Sequence, residues 1–121
     1  MPGKPVILVV DDDASILRLM SAMLLEFGFE PVTASSGPEG VASALENPPR
    51  LVLLDQHMPG MTGADTIRAF RSNPALAQIP ILILSGESLV AGEAALLGAN
   101  GAIQKPFELA DLLSRIRAYT D

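Results

Sequence analysis

The chain has 121 residues, 49% hydrophobic and 18% charged, which predicts one globular domain over residues 1–121 with its core at about 5–119. Its net charge of −6, with only eight Lys and Arg residues, argues against direct binding to nucleic acid or to an anionic membrane surface. Because there is no cysteine and no apolar run near the ~20 residues of a spanning helix, a disulfide framework, a thiolate metal site and membrane insertion are excluded, and we expect a cytoplasmic location.

Strands and helices are predicted to alternate along the chain. Short apolar runs bounded by turn residues predict five strands, over residues 5–10, 29–34, 51–55, 80–84 and 101–104. Apolar residues at three- and four-residue spacing predict five helices, over residues 14–27, 37–46, 62–72, 88–97 and 107–119. Asp13 is the expected N-cap of the first helix and Gly28 its C-terminal stop, while Pro31 places the second strand at a sheet edge. This alternation predicts an α/β domain with a parallel sheet and helices on both faces.

Three of the predicted helices have an apolar face that should pack on the sheet. The residues expected there are Ile16, Leu19, Met20, Met23, Leu24 and Phe27 in the first helix, Ile67 and Phe70 in the third, and Leu109, Leu112, Leu113 and Ile116 in the fifth. The fourth helix is predicted to be weak, because Gly92 in its middle costs about 1 kcal/mol relative to alanine.

Polar residues follow three of the apolar strands. Asp11 and Asp12 follow the first strand, Asp55 ends the third and Ser85 follows the fourth. Because the carboxyl ends of parallel strands share one edge of a sheet, these residues are predicted to form one polar site. Converging carboxylates repel one another unless a cation joins them, and Mg²⁺ suits oxygen ligands of this kind. Acidic residues also end strands and cap helices without binding a metal, so spacing alone leaves both interpretations open.

Two further residues, Lys105 and His57, stand near this predicted site, and Ser85 has more than one possible role in it. Lys105 follows the fifth strand and could pair with a carboxylate or a phosphoryl oxygen, although taken alone a solvated lysine is the simpler interpretation. Ser85 could donate to an oxyanion or serve a turn or helix cap. His57, the only histidine, is too close to Asp55 in sequence to orient it as a catalytic base, and is interpreted as a loop residue. Neither common glycine-rich phosphate motif, G-x-G-x-x-G or G-x-x-x-x-G-K-[ST], occurs.

Five separated motifs carry a family resemblance. They are VILVVDDDASILRLM from residue 6, GFEPVTASSGPEGV from residue 28, LVLLDQHMPGMTG from residue 51, LILSG from residue 82 and GANGAIQKPF from residue 98. In this order they resemble the receiver domain of two-component response regulators, over about residues 6–119. The resemblance implies a flavodoxin-like, doubly wound (βα)5 sheet with strand order 2-1-3-4-5.

The resemblance also implies a role for the acidic residues. Asp55 would accept a phosphoryl group from a histidine kinase or a histidine phosphotransfer protein. Asp11 and Asp12 would hold Mg²⁺ together with Asp55 and the main-chain carbonyl of His57. Phosphorylation and dephosphorylation of Asp55 itself would then be the only chemistry, so no enzyme acting on other substrates is expected.

The segment that would read the phosphoryl group departs from the family. By resemblance, Ser85 would follow the phosphoryl group on activation and Lys105 would pair with it, with the Lys105-Pro106 peptide in the cis form. Receivers usually carry an aromatic residue or histidine three positions before this lysine, where this chain has Ala102. The stretch from Ser85 to Gly98 is also shorter than usual, so the fourth helix should be short and loosely held. We expect the fourth-helix and fifth-strand face to signal to an unidentified partner without the usual aromatic switch.

Three alternatives to a stand-alone phosphorylated receiver remain open. The chain could be an interaction module that is never phosphorylated, or the receiver part of a longer multidomain regulator. It could also be a Mg²⁺-dependent phosphohydrolase with Asp55 as nucleophile. The hydrolase is disfavoured because 121 residues leave no room for a cap, and because His57 stands where a second carboxylate would act as general acid.

Overall fold

The computed structural model describes residues 3–56, 62–86 and 91–121, with the backbone alone at 91 and 92. Five strands form one sheet: Val6–Val10 (β1), Glu30–Ala34 (β2), Leu51–Asp55 (β3), Ile81–Ser85 (β4) and Gly101–Gln104 (β5). Their order is β2-β1-β3-β4-β5, and every neighbouring pair is parallel. The predicted fold class and strand order are confirmed, as is the edge position of Pro31 in β2.

Five helices connect and follow the strands: Ala14–Glu26 (α1), Gly37–Glu46 (α2), Gly63–Ser72 (α3), Ala91–Leu97 (α4) and Leu109–Thr120 (α5). The ends of α1, α2, α3 and α5 lie within two residues of the predicted ends. The predicted start of the fourth helix at 88 lies outside the described residues, while its predicted end at 97 is confirmed. Among the described residues, no helix combines the length and hydropathy that a membrane span requires.

Side-chain and backbone caps fix where α1 begins and ends. The Asp13 carboxylate accepts hydrogen bonds from the backbone N–H of Ser15 and Ile16, at 2.8 and 3.4 Å. At the other end, Gly28 has a φ of 92°, and the N–H groups of Gly28 and Phe29 return to the carbonyls of the last turn. This is a Schellman motif, which needs a residue that tolerates positive φ. Both predicted caps are therefore present.

The sheet is covered on both faces, and its strands divide the core in two. Leu8 and Val10 of β1 belong to the side covered by α2, α3 and α4, and Ile7 and Val9 to the side covered by α1 and α5. β3 and β4 are buried along their whole lengths. Strands buried on both faces need apolar residues at every position, which is why their sequences are continuous apolar runs. The residues at their carboxyl ends are consequently held on a rigid frame.

The buried faces of α1 and α5 are narrower than the sequence predicted. Most expected core residues are buried, among them Met20, Leu24, Ile67, Phe70, Leu112, Leu113 and Ile116, and Ile16 and Met23 are partly buried. Leu19, Phe27 and Leu109 are instead 67%, 36% and 45% exposed, so their predicted core positions are wrong. All three line a groove of about 580 Å³ that runs between α1 and α5. The groove exists because α1 and α5 are separated over this part of the sheet.

Arg71 connects α3 to the segments that precede β4 and β5. Its guanidinium group donates to the carbonyls of Ala77, Ile79 and Gly98 at 2.7–2.9 Å and to the side-chain oxygen of Asn100 at 3.1 Å. Partial burial lowers its pKa from the ordinary value. One side chain thereby joins α3, the segment before β4 and the end of α4.

Candidate functional site

Three carboxylates meet at the carboxyl edge of the sheet. Asp55 ends β3, and Asp11 and Asp12 follow β1, the neighbouring strand, in which Val10 pairs with Leu54. One oxygen from each of the three carboxylates lies within 4.8 Å of the others. Asp11 and Asp55 are buried and Asp12 is exposed, so the cluster opens to solvent on one side. The residues that the sequence placed at one sheet edge are together in space.

Asp11 is the most constrained of the three carboxylates. Its Oδ1 accepts the Asp13 N–H at 2.9 Å, while its buried Oδ2 has no hydrogen-bond partner among the described residues. Burial raises the pKa of Asp11, the Asp13 N–H lowers it, and the nearby Asp55 charge raises it further. A buried carboxylate oxygen that lacks a donor is suited to a cation, and an all-oxygen donor set is the kind that Mg²⁺ prefers.

Lys105 brings one positive charge into the cluster. Its Nζ lies 3.1 Å from Asp55 Oδ1 and 3.7 Å from Asp11 Oδ2. The Lys105 N–H donates to the Ser85 carbonyl at 2.7 Å, which ties the residue after β5 to the end of β4. The Lys105-Pro106 peptide is cis, as predicted. The interpretation of Lys105 as a merely solvated lysine is wrong, because its side chain is two-thirds buried and paired.

Ser85 contacts a residue that the sequence did not single out. Ser85 is 1% exposed, and its hydroxyl donates to the Gln56 side-chain oxygen at 2.5 Å. Ser85 is the last residue of β4, which places it at the same edge of the sheet as the carboxylates. Gln56 directly follows Asp55, and this adjacency was the only signal by which it could have been found.

The backbone after Asp55 is fixed at Gln56. The Gln56 N–H donates to the Leu84 carbonyl at 3.3 Å, and its carbonyl accepts the Gly63 N–H at 3.1 Å. A Cβ on Gly63 would lie only 3.1 Å from the Gln56 Cα, so the returning chain passes very close here. His57, whose main-chain carbonyl was predicted to be a metal ligand, lies outside the described residues.

These residues together offer the parts of a phosphoryl-transfer site. Asp55 is a carboxylate beside a cationic side chain, and Ser85 carries a hydroxyl on the adjacent strand. Asp11 and Asp12 make an acidic pocket with Asp55 that could bind a metal ion. Such positioned charges are what phosphoryl transfer requires of a protein.

Comparisons with known proteins agree on one family. The model of the response regulator receiver domain matches residues 7–117. The transcriptional regulatory protein PrrA of Mycobacterium tuberculosis is 39% identical over 117 residues, covering 95% of this chain and 49% of that protein. The DNA-binding response regulator MtrA of Mycobacterium leprae is 36% identical over 116 residues, covering 93% and 49%.

Solved structures give the same result over the whole domain. The chemotaxis protein CheY4 of Vibrio cholerae matches with a TM-score of 0.89 and 32% identity, covering 97% of this chain and 99% of that one. Its length is close to that of this chain, whereas this chain spans about half the length of the curated relatives it matches.

Proposed function

The chain belongs to the response regulator receiver family, and we propose that Asp55 accepts a phosphoryl group in a two-component phosphorelay. The donor would be a phosphohistidine on a histidine kinase or a phosphotransfer protein. The observation that carries the proposal is the position of Asp55, 3.1 Å from the Lys105 ammonium and beside two further carboxylates.

In the proposed transfer, a carboxylate oxygen of Asp55 attacks phosphorus in line. The new bond joins this oxygen to phosphorus, the phosphorus–nitrogen bond of the phosphohistidine breaks, and its electron pair stays on the imidazole. Lys105, already next to Asp55, would pair with the added negative charge. The Ser85 hydroxyl would donate a hydrogen bond to a phosphoryl oxygen.

The residues present fit a Mg²⁺ ion. Asp11, Asp12 and Asp55 would hold it, and the Asp11 oxygen that lacks a donor supports this assignment. Bound there, Mg²⁺ would supply positive charge to the phosphoryl oxygens as their negative charge develops. Asp11 and Asp12 would contribute the carboxylate oxygens that bind the ion and orient it beside Asp55.

We propose that the state of Asp55 is read at α4 and β5 by a downstream partner. The contact from Lys105 N–H to the Ser85 carbonyl couples the ends of β4 and β5. Ala102 of β5 offers no aromatic side chain to rotate, so movement of Ser85 and Lys105 must carry the signal. The chain itself would act in the cytoplasm, with no enzymatic turnover of other substrates and no direct nucleic-acid contact. If this chain is the receiver part of a longer regulator, the rest of that protein would produce the downstream response.

Intact mass after incubation with acetyl phosphate and Mg²⁺ tests the phosphoacceptor. We expect the parent to gain one phosphoryl group and Asp55→Asn to gain none. Asp13→Asn is the matched control, because Asp13 is exposed, lies outside the carboxylate cluster, and asparagine is also a good N-cap.

Other outcomes of this experiment would support the alternatives. A parent that gains no mass would indicate an interaction module that is not phosphorylated. Rapid turnover of added phosphoesters would indicate a phosphohydrolase. A phosphoryl group that persists in Asp55→Asn would place the acceptor elsewhere.

A further inference from the structure

We propose that Gln56 is a positioning residue that competes with the phosphoryl group for the single proton of the Ser85 hydroxyl. The inference rests on the proposed function of Asp55 and adds a determinant of how readily the phosphorylated arrangement forms. Its basis is the hydrogen bond in which Ser85 Oγ donates to Gln56 Oε1 at 2.5 Å.

The competition follows from the donor count of the two groups. A serine hydroxyl has one proton to donate, and phosphoryl oxygens are acceptors only. Ser85 can therefore donate to the phosphoryl group only by giving up its bond to Gln56. Because Ser85 is 1% exposed, water cannot readily take the place of either acceptor.

The backbone from which the Gln56 side chain extends is held by hydrogen bonds. The Gln56 N–H donates to the Leu84 carbonyl at 3.3 Å and the Gln56 carbonyl accepts the Gly63 N–H at 3.1 Å, so the backbone is held on both sides of the Gln56 Cα. The close approach of Gly63 to the Gln56 Cα leaves this backbone little room to move away. The Gln56 side chain therefore starts from a fixed point within reach of Ser85, and its Oε1 accepts the Ser85 hydroxyl from there.

The consequence is a bias against the phosphorylated arrangement. Its size is the free energy of one hydrogen bond that exists only before phosphorylation, because a ligand shifts an equilibrium by its differential contacts alone. Removing the Gln56 acceptor should therefore favour the state in which Ser85 contacts the phosphoryl group.

Calorimetric titration with beryllofluoride, a phosphate mimic, in the presence of Mg²⁺ measures this bias. The chain has no tryptophan, so a method without intrinsic fluorescence is appropriate. Gln56→Met keeps the length of the side chain and removes the amide oxygen, and we expect it to bind the mimic about 3- to 10-fold more tightly. Gln56→Ala should give the same direction and serves if the methionine variant does not fold. Gln78→Met is the matched control, because Gln78 is exposed and lies before β4, at the opposite edge of the sheet.

The same substitution in a Ser85→Ala background identifies the mechanism. If Gln56 acts through the Ser85 hydroxyl, Gln56→Met should change the affinity by less than about twofold once that hydroxyl is gone. An unchanged or weaker affinity in the single variant overturns the inference, as does an equal gain in both backgrounds. A parent that neither binds beryllofluoride nor is phosphorylated overturns the proposed function itself.

Discussion

Asp11 belongs to the acidic cluster, and its buried carboxylate lowers the stability of the folded protein. Burial disfavours its charged form, and the Asp55 charge adds to this, so its pKa is raised in the folded protein. A raised pKa means that the folded state binds the proton more tightly than the unfolded state does. The destabilisation is therefore absent below the ordinary pKa of 3.8 and complete above the raised value.

We predict that Asp11→Asn stabilises the metal-free protein at neutral pH. Asparagine retains an acceptor for the Asp13 N–H and removes the buried charge. The gain in the free energy of unfolding should be about 1 kcal/mol at pH 7 and should disappear at about pH 3. Urea unfolding in EDTA across this range measures it, and a gain that is constant with pH would contradict the account.

Asp65 provides a control of opposite sign. In a capping box, the Thr62 side-chain oxygen accepts the Asp65 N–H, and the Thr62 N–H donates to the Asp65 carboxylate. Interactions with the Thr62 side chain and backbone lower the pKa of Asp65. A lowered pKa contributes stability above the ordinary value that is lost as the pH falls. Asp65→Asn should therefore be less stable than the parent at neutral pH, with the difference disappearing in acid. If both variants shift in the same direction, neither carboxylate explains the pH dependence.

At the scale of elements, the Arg71 side chain joins α3, the segment before β4 and the end of α4. We predict that Arg71→Met lowers the free energy of unfolding by about 2–4 kcal/mol, since it leaves several carbonyls without their charged donor. Arg68→Met on the same helix is the matched control. Arg68 is 76% exposed and, among the residues that the structure describes, forms an ion pair only with Asp65, so its loss should cost less than about 0.5 kcal/mol. Equal effects in urea unfolding would contradict the role of Arg71.

The end of α1 offers a test of backbone conformation alone. Gly28 has positive φ, and a Cβ there would meet no atom within 4 Å. Gly28→Ala should therefore lower stability by about 1 kcal/mol through backbone strain, with Gly28→Asn less harmful because asparagine tolerates this region. Thermal unfolding distinguishes them. Two equal losses would show that the cost comes from something other than φ.

Elements were predictable where a local pattern has one physical meaning. The apolar runs of β3 and β4 identify buried strands, and Asp13 and Gly28 identify the limits of α1. Periodicity could not show how wide the buried face of a helix is, because that depends on its neighbours. Leu19 and Leu109 fit the periodicity, yet the separation of α1 from α5 leaves them exposed in the groove.

For the whole molecule, strand topology made the acidic cluster predictable. Asp11 and Asp55 are 44 residues apart in sequence but end adjacent parallel strands, so a parallel sheet must bring them to one edge. Lys105 required the family resemblance, since a lysine after a short strand has no local signature. The Ser85–Gln56 bond was beyond either argument, because it depends on side-chain conformations that no sequence pattern specifies.

Mg²⁺ should stabilise the whole domain through this cluster. At about ten times its Kd, an ion that binds only the folded state raises the free energy of unfolding by about 1.4 kcal/mol. Asp12→Ala should abolish this increase, while Asp13→Asn should retain it, because Asp13 is not among the three clustered carboxylates. A Mg²⁺ response in Asp12→Ala equal to that of the parent would place the ion elsewhere.

A crystal structure with Mg²⁺ and beryllofluoride tests the central claim most directly. We predict that the mimic is attached to the Asp55 carboxylate, with Lys105 and Ser85 in contact with it, and that one ion lies among Asp11, Asp12 and Asp55. Density for the mimic on any other residue, or acidic side chains that point to separate regions around an ion bound elsewhere, would contradict the account.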